Sequence, residues 1–242
     1  MLYIGTSGFI YKEWAGRFYP RELPKSKWFD YYAKQFNSLE LNSTFYRIPQ
    51  PSTIKSWKYK LKKYHMKMSV KANQNITHKY KLQKPELAIE FINFLEPIKK
   101  YLGAVLFQLP PSLKYDAVLL EEFLNVLPKG KYAIEFRHKT WYNDKTYEIL
   151  KTFRTALVWH DFNQPFVLEK TTRFIYARFH GFSDKYKGSY PDEFLETIIN
   201  RTKQGYCYFN NTSDGSAVLD AKRLKELMEL KNNFQENIHY VK

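Results

Sequence analysis

Eight short runs rich in β-branched and aromatic residues recur along this chain, with helical patterns between most of them. That alternation is the mark of a parallel sheet built from repeated βα units. The runs are Leu2 to Gly5, Ser38 to Leu41, Met66 to Val70, Ala104 to Gln108, Tyr132 to Phe136, Ala156 to Trp159, Phe174 to Phe179 and Tyr206 to Phe209. Helices are expected at Lys27 to Gln35, Ser52 to Lys60, Glu86 to Tyr101, Leu119 to Val126, Asp144 to Arg154, Asp192 to Lys203 and Ala217 to Lys231. None is read between the sixth and seventh runs, so the barrel is expected to be irregular there. The pattern predicts an α/β fold, a TIM-type (β/α) barrel, in a single domain over 1–242, a length that suits one sizeable core.

The clearest helix follows Pro85, a residue suited to a first helical turn, and stops before Gly103, which suits a left-handed cap. Its apolar residues Ala88, Phe91, Ile92, Leu95, Ile98 and Leu102 follow helical spacing. Pro97 is expected to kink it.

In a closed parallel barrel alternate strand residues point inward and function collects at the carboxyl ends, so the last inward residue of each strand is the informative one. Those residues are polar in almost every strand: Thr6, Ser7 and Gly8; Glu40 and Asn42; Lys71 and Asn73; Gln108; Glu135 and Arg137; His160 and Asp161; Arg178 and His180; Asn210 and Asn211. Spacing by two puts Glu135 with Arg137 on one face, and Arg178 with His180 likewise. Burying so many ionisable groups costs several kcal/mol each unless they are paired, so a functional cavity is the expectation. Barrel-closing ion pairs are the competing explanation.

Within that ring Lys71, Arg137 and Arg178 form a cationic focus for phosphate, carboxylate or an enolate-like charge. Glu135, Asp161 and His180 are the candidate catalytic acids and bases. Asn42, Tyr46, Gln108, Trp141 and Asn210 complete the expected substrate contacts, the aromatic ones through stacking. His160 is read as a satisfied core histidine and Cys207, the only cysteine, as core packing. No metal ligands are assigned, since of the six histidines His65, His78, His138 and His239 lack ligand spacing and no HExxH or comparable cluster appears. No cofactor is expected, although Mg²⁺ held through water by Asp161 and Glu135 is compatible with the sequence.

The 39 Lys and Arg against 24 Asp and Glu give a formal charge of +15. From Leu41 to Pro85 there is no acidic residue, while Arg47 and ten lysines from Lys55 to Lys84 supply positive charge. The segment 47–84 is therefore a candidate nucleic-acid contact; a solvated lysine-rich surface is the plainer alternative. A lone cysteine excludes an internal disulfide and fits a reducing compartment. No apolar run reaches the ~18 residues of a membrane span and no leader pattern opens the chain, so a cytoplasmic protein without membrane contact is expected.

Several multi-residue motifs carry a family resemblance. They are Gly5-Thr6-Ser7-Gly8, the stretch Leu39-Glu40-Leu41-Asn42-Ser43-Thr44-Phe45-Tyr46-Arg47, Lys71-Ala72, Ile76-Thr77-His78, Leu106-Phe107-Gln108-Leu109-Pro110-Pro111, Ile134-Glu135-Phe136-Arg137-His138, Arg178-Phe179-His180-Gly181 and Phe209-Asn210-Asn211. In this order the chain resembles the domain-of-unknown-function 72, or YecE-like, family over nearly its whole length. The resemblance implies a TIM-type barrel without an established activity. It also implies a likeness to metal-dependent DNA-repair barrels of the endonuclease IV type, for which this sequence supplies no matching set of His ligands. Two functions follow as expectations: a hydrolase or isomerase acting on a phosphorylated, sugar-containing or otherwise anionic small molecule, or a nucleic-acid-binding protein. A scaffold barrel without catalysis is the third.

Overall fold

The computed structural model describes residues 1–162 and 165–240. Eight parallel strands form the barrel: β1 (Leu2–Thr6), β2 (Ser38–Leu41), β3 (Lys67–Lys71), β4 (Leu102–Gln108), β5 (Tyr132–Glu135), β6 (Ala156–His160), β7 (Ile175–Phe179) and β8 (Gly205–Phe209). Each expected run is a strand. Ladders join β2 through β8 in sequence and close β8 on β1. The helices are α1 (Trp28–Gln35), a single turn α2 (Ser43–Tyr46), α3 (Pro51–Tyr64), α4 (Pro85–Phe94), α5 (Ala117–Asn125), α6 (Asp144–Thr152), α7 (Asp192–Arg201) and α8 (Ser216–Tyr240). As expected, the described residues between β6 and β7 hold no helix.

The seam between β1 and β2 is closed chiefly by side chains. The Tyr32 hydroxyl accepts from the Thr6 N–H at 2.8 Å and donates to the Ser38 carbonyl at 3.0 Å, while Asn37 Oδ1 accepts from the Ile4 N–H at 2.9 Å. Among the described residues the two backbones meet only at the carboxyl end, where Gly8 N–H donates to the Glu40 carbonyl at 2.8 Å. Gly5 is required there because a Cβ would fall 2.0 Å from the Ser38 oxygen.

Inside the barrel the lower layers are apolar and tyrosine-rich: Leu106, Ala133, Val158, Tyr176, Tyr206 and Tyr208 form one buried cluster. The Tyr208 hydroxyl meets Ser38 Oγ at 2.6 Å and donates to Ser69 Oγ at 2.9 Å, so its burial leaves no polar atom orphaned. The charged residues sit above this plug. That stacking fixes the depth of the site.

Two expectations about the fourth helix need correction. Where one kinked helix was expected to Tyr101, α4 stops at Phe94 and a tighter turn runs over Glu96–Tyr101. Pro97 lacks the N–H that would continue the ladder. Gly103 is not a left-handed cap but lies within β4, where a Cβ would come 2.6 Å from Ser69 Oγ and 2.9 Å from the Tyr206 ring. It is glycine because the barrel interior is tight at that level.

Candidate functional site

Strand parity delivers the inner residues as the sequence predicts, and their depth decides what each does. Glu40, Glu135 and Arg178 are wholly or almost wholly buried. Arg178 donates through Nε and Nη2 to Glu40 Oε1 at 3.1 and 3.0 Å, and through Nη1 to Glu135 Oε2 at 2.6 Å. Ser7 Oγ donates to Glu40 Oε1 at 2.5 Å and the Tyr176 hydroxyl to Oε2 at 2.6 Å. The other Glu135 oxygen faces Arg137 Nη2. Burial alone would raise the Glu135 carboxyl, but Arg137 and Arg178 outweigh it and hold it well below the usual carboxylate range. A carboxylate so fixed takes up no proton near neutral pH.

His180 sits above Arg178. Its N–H donates to Asp161 Oδ1 at 2.8 Å and its Nδ1 lies 3.3 Å from the same oxygen. The other Asp161 oxygen accepts from the Tyr190 hydroxyl. Burial would raise Asp161, yet the hydrogen bonds from His180 and Tyr190 prevail and keep it below its ordinary value. Since a carboxylate only accepts, Nδ1 of His180 carries hydrogen and Nε2 presents its lone pair. Arg137 Nη2 and Arg178 Nη1 approach that lone pair at 3.3 and 3.4 Å. Burial pushes His180 below its ordinary value, opposed in part by Asp161, which favours the neutral imidazole.

Arg137 is the residue that carries this network outward. Its guanidinium stacks on the Phe162 ring at 3.9 Å. With Gln108, Pro111, Phe162 and Tyr186 it lines a cleft of about 240 Å³. Its Nε is buried and makes no hydrogen bond among the described residues. Next to Gln108, Lys71 donates to Oε1 at 2.7 Å and lies 4.1 Å from the Phe45 ring. Burial, reinforced by Arg178, brings its ammonium down to about 8.

The remaining expected contacts divide. Asn42 is half-buried at the end of β2, its Oδ1 unbonded among the described residues, and Tyr46 is exposed on α2. Asn210 is half-buried just past β8. Trp141 does not reach the mouth. It is wholly buried, stacks on Phe136 at 4.6 Å and donates through Nε1 to the Leu113 carbonyl at 2.8 Å. His160 is a satisfied buried histidine: Phe162 N–H donates to Nδ1 at 3.2 Å, and Nε2 lies 2.9 Å from both the Phe136 carbonyl and the Tyr142 hydroxyl. Burial pushes it down to about 4.

Every oxygen of Glu135 and Asp161 faces a donor. Among the described residues no three His, Cys, Asp or Glu side chains group as metal ligands. The cations of the basic segment 47–84 lie on several elements. Lys71 lies in the mouth, Lys67 at the opposite end of β3, and Lys60 and Lys84 rest over the Phe29 and Tyr80 rings at 5.0 and 4.4 Å. Residues that sequence reasoning passed over include Tyr176, findable by parity as two places before Arg178, and Phe162, a loop residue with no periodic signal.

Fold and site together define a parallel α/β barrel with a polar, charge-networked mouth at the carboxyl ends of its strands. The sequence profile described as "Protein of unknown function DUF72" matches residues 3–239, and the chain belongs to that family. It is 25% identical to the UPF0759 protein YunF of Bacillus subtilis over 275 aligned positions, covering 95% of each. To the UPF0759 protein YecE of Escherichia coli K12 it is 27% identical over 145 residues, 59% of this chain and 50% of YecE, so the match spans half of that relative. The crystal structure of a DUF72 family protein from Thermotoga maritima superposes with a TM-score of 0.82 at 30% identity, covering 95% of this chain and 99% of that one. No helix among the described residues is long and apolar enough to cross a membrane.

Proposed function

We propose that the carboxyl-end cleft binds a small anionic substrate, phosphorylated or sugar-containing, and that His180 exchanges a proton with it. The observation that carries this reading is Arg137: a side chain only 9% exposed, in contact with Glu135 and His180, yet lining the cleft with its buried Nε unbonded among the described residues. An orphaned buried donor costs about 1–3 kcal/mol, and a ligand oxyanion removes that cost. Lys71 supplies a second cation beside Gln108.

Of the two reactions, isomerisation by proton transfer next to a carbonyl fits better than glycoside hydrolysis. Hydrolysis uses two carboxyl groups, one of them protonated, whereas Glu40 and Glu135 are both tied to Arg178. Proton abstraction uses one base and cations that stabilise an enolate. Asp161 sets the tautomer of His180. An anion that draws Arg137 toward itself removes one of the two guanidinium donors, at 3.3 and 3.4 Å, that crowd the His180 Nε2 lone pair. Arg137 and Lys71 then face the developing oxyanion, and no cofactor enters the scheme.

The test is a screen of phosphorylated aldoses and ketoses by proton NMR in D₂O for hydrogen wash-in at carbon. Wash-in is expected with at least one compound, lost in His180→Asn with binding retained, while Arg137→Ala weakens binding about tenfold or more. Retention of exchange in His180→Asn overturns the assignment. The complete pairing of Glu40, Arg178 and Glu135 supports a second reading, a barrel without catalysis. A screen in which no ligand binds favours that one.

A further inference from the structure

The amino ends of the strands carry a feature that the cleft does not use. Most of the loops entering the barrel from below bring one or two exposed cations. They are Lys99 and Lys100 before β4, Lys129 and Lys131 before β5, Lys151 and Arg154 before β6, Lys170 and Arg173 before β7, and Arg201 and Lys203 before β8. Of the acidic residues close to them, Glu96 and Glu169 are paired with Lys99 and Lys151 at 3.1 and 2.7 Å, and Asp144 and Glu148 also lie near Lys151. A positive charge near a helix C-terminus complements the helix dipole, which accounts for Lys151 and Arg201. It does not account for Lys129, Lys131, Lys170 and Arg173, which lie beyond the helix ends.

The surface is also shaped. A hollow of about 840 Å³ is lined by Lys151, Arg154, Lys170 and Arg173 around Thr171 and Thr172. A second, of about 370 Å³, is lined in part by Lys67, Lys99, Lys129 and Lys131, and Gly130 borders both. Arg154 adopts a left-handed backbone, φ 50°, at a helix end where glycine is the usual residue, so a guanidinium is kept there at some conformational cost.

We infer that this amino-end face binds the phosphodiester backbone of a nucleic acid, without reading its sequence. Three features select that partner. Two adjoining hollows suit a chain of regularly spaced phosphates, and Arg154 and Arg173 offer planar donors that match phosphate oxygens. No residue lining either hollow is an exposed large apolar side chain, so the face lacks the anchors by which amphipathic surfaces enter bilayers and protein partners bury hot spots.

The experiment measures binding of a fluorescent 20-nucleotide DNA duplex by anisotropy, across salt. With about five phosphates neutralised, affinity falls roughly 500-fold between about 50 and about 200 mM salt. The triple variant Lys131→Glu, Lys170→Glu, Arg173→Glu is expected to lose at least about tenfold in affinity. A control triple on α3, Lys55→Glu, Lys58→Glu, Lys62→Glu, makes the same change in net charge and is expected to lose less than about threefold. Binding that ignores salt, equal losses in the two triples, or capture only by phosphatidylserine vesicles overturns the inference. Neither variant touches the cleft.

Discussion

The two ends of the barrel handle charge in opposite ways. At the carboxyl end Glu40, Arg178 and Glu135 are buried and pair with one another, Arg137 reaches in to Glu135, and His180 with Asp161 caps them. At the amino end Lys129, Lys131, Lys170 and Arg173 are exposed, and no ion pair involves them among the described residues. Burial makes charge expensive and therefore paired, whereas exposure leaves it cheap and available. The first arrangement fixes a geometry. The second offers attraction without one.

The strongest way to break this contrast is to remove Arg178. Arg178→Met leaves Glu40 and Glu135 buried without their shared partner, at a cost of about 3–5 kcal/mol, measured by urea unfolding. Lys170→Met at the other end is expected within about 0.5 kcal/mol of the parent. Equal losses would show that the buried network is no more structural than the rim.

Acid sharpens the comparison next. His160 is held near 4 against an ordinary 6.5, chiefly by burial, and His180 is lowered as well. A histidine lowered on folding takes its proton first in the unfolded chain, so stability is complete above about 6.5 and is lost as pH falls toward about 4. Asp220 opposes this, because burial raises it to about 6 and folding then favours its protonated form over part of the same range. For His160 alone the loss is on the order of 3 kcal/mol across that window. In His160→Gln the fall of melting temperature between pH 6.5 and 4 should be shallower, and an unchanged slope would remove His160 as its source.

The Tyr176 hydroxyl gives an intermediate effect. Tyr176→Phe keeps the ring in the barrel but deletes the 2.6 Å hydrogen bond to Glu40 Oε2, so a loss of about 1.5–3 kcal/mol is expected from denaturant unfolding. A change below about 0.5 kcal/mol would mean that Ser7 and Arg178 suffice for that carboxylate.

How much of this was legible in the sequence follows from the range of each signal. Strand existence and face are local, period-two properties, so all eight strands and the inward direction of Glu135, Arg137, Arg178 and His180 could be read directly. Partner choice is not local: Glu40 and Arg178 are 138 residues apart in the chain, and parity gives a face without its depth. Trp141 and Tyr190 look alike as loop aromatics, yet one props Phe136 while the other holds Asp161. The cations from Arg47 to Lys84 drew attention because no acidic residue interrupts them in sequence, whereas the fold sets Lys67 and Lys71 at opposite ends of β3. The amino-end cations were invisible for the converse reason, arriving one or two per loop.

The smallest effect expected comes from the exposed Lys151–Glu169 pair, and it tests whether exposure or geometry decides what a pair contributes. Its contact distance of 2.7 Å is close to the 2.6 Å of Arg178 with Glu135, but the side chains are 51% and 37% exposed rather than 2% and 0%. If distance ruled, the two pairs would couple alike. If solvation rules, a double-mutant cycle on Lys151→Ala and Glu169→Ala gives a coupling below about 0.5 kcal/mol, vanishing in about 1 M salt. A coupling well above that value would place a fixed, structural charge pair on the amino-end face and reduce the charge available there to a ligand.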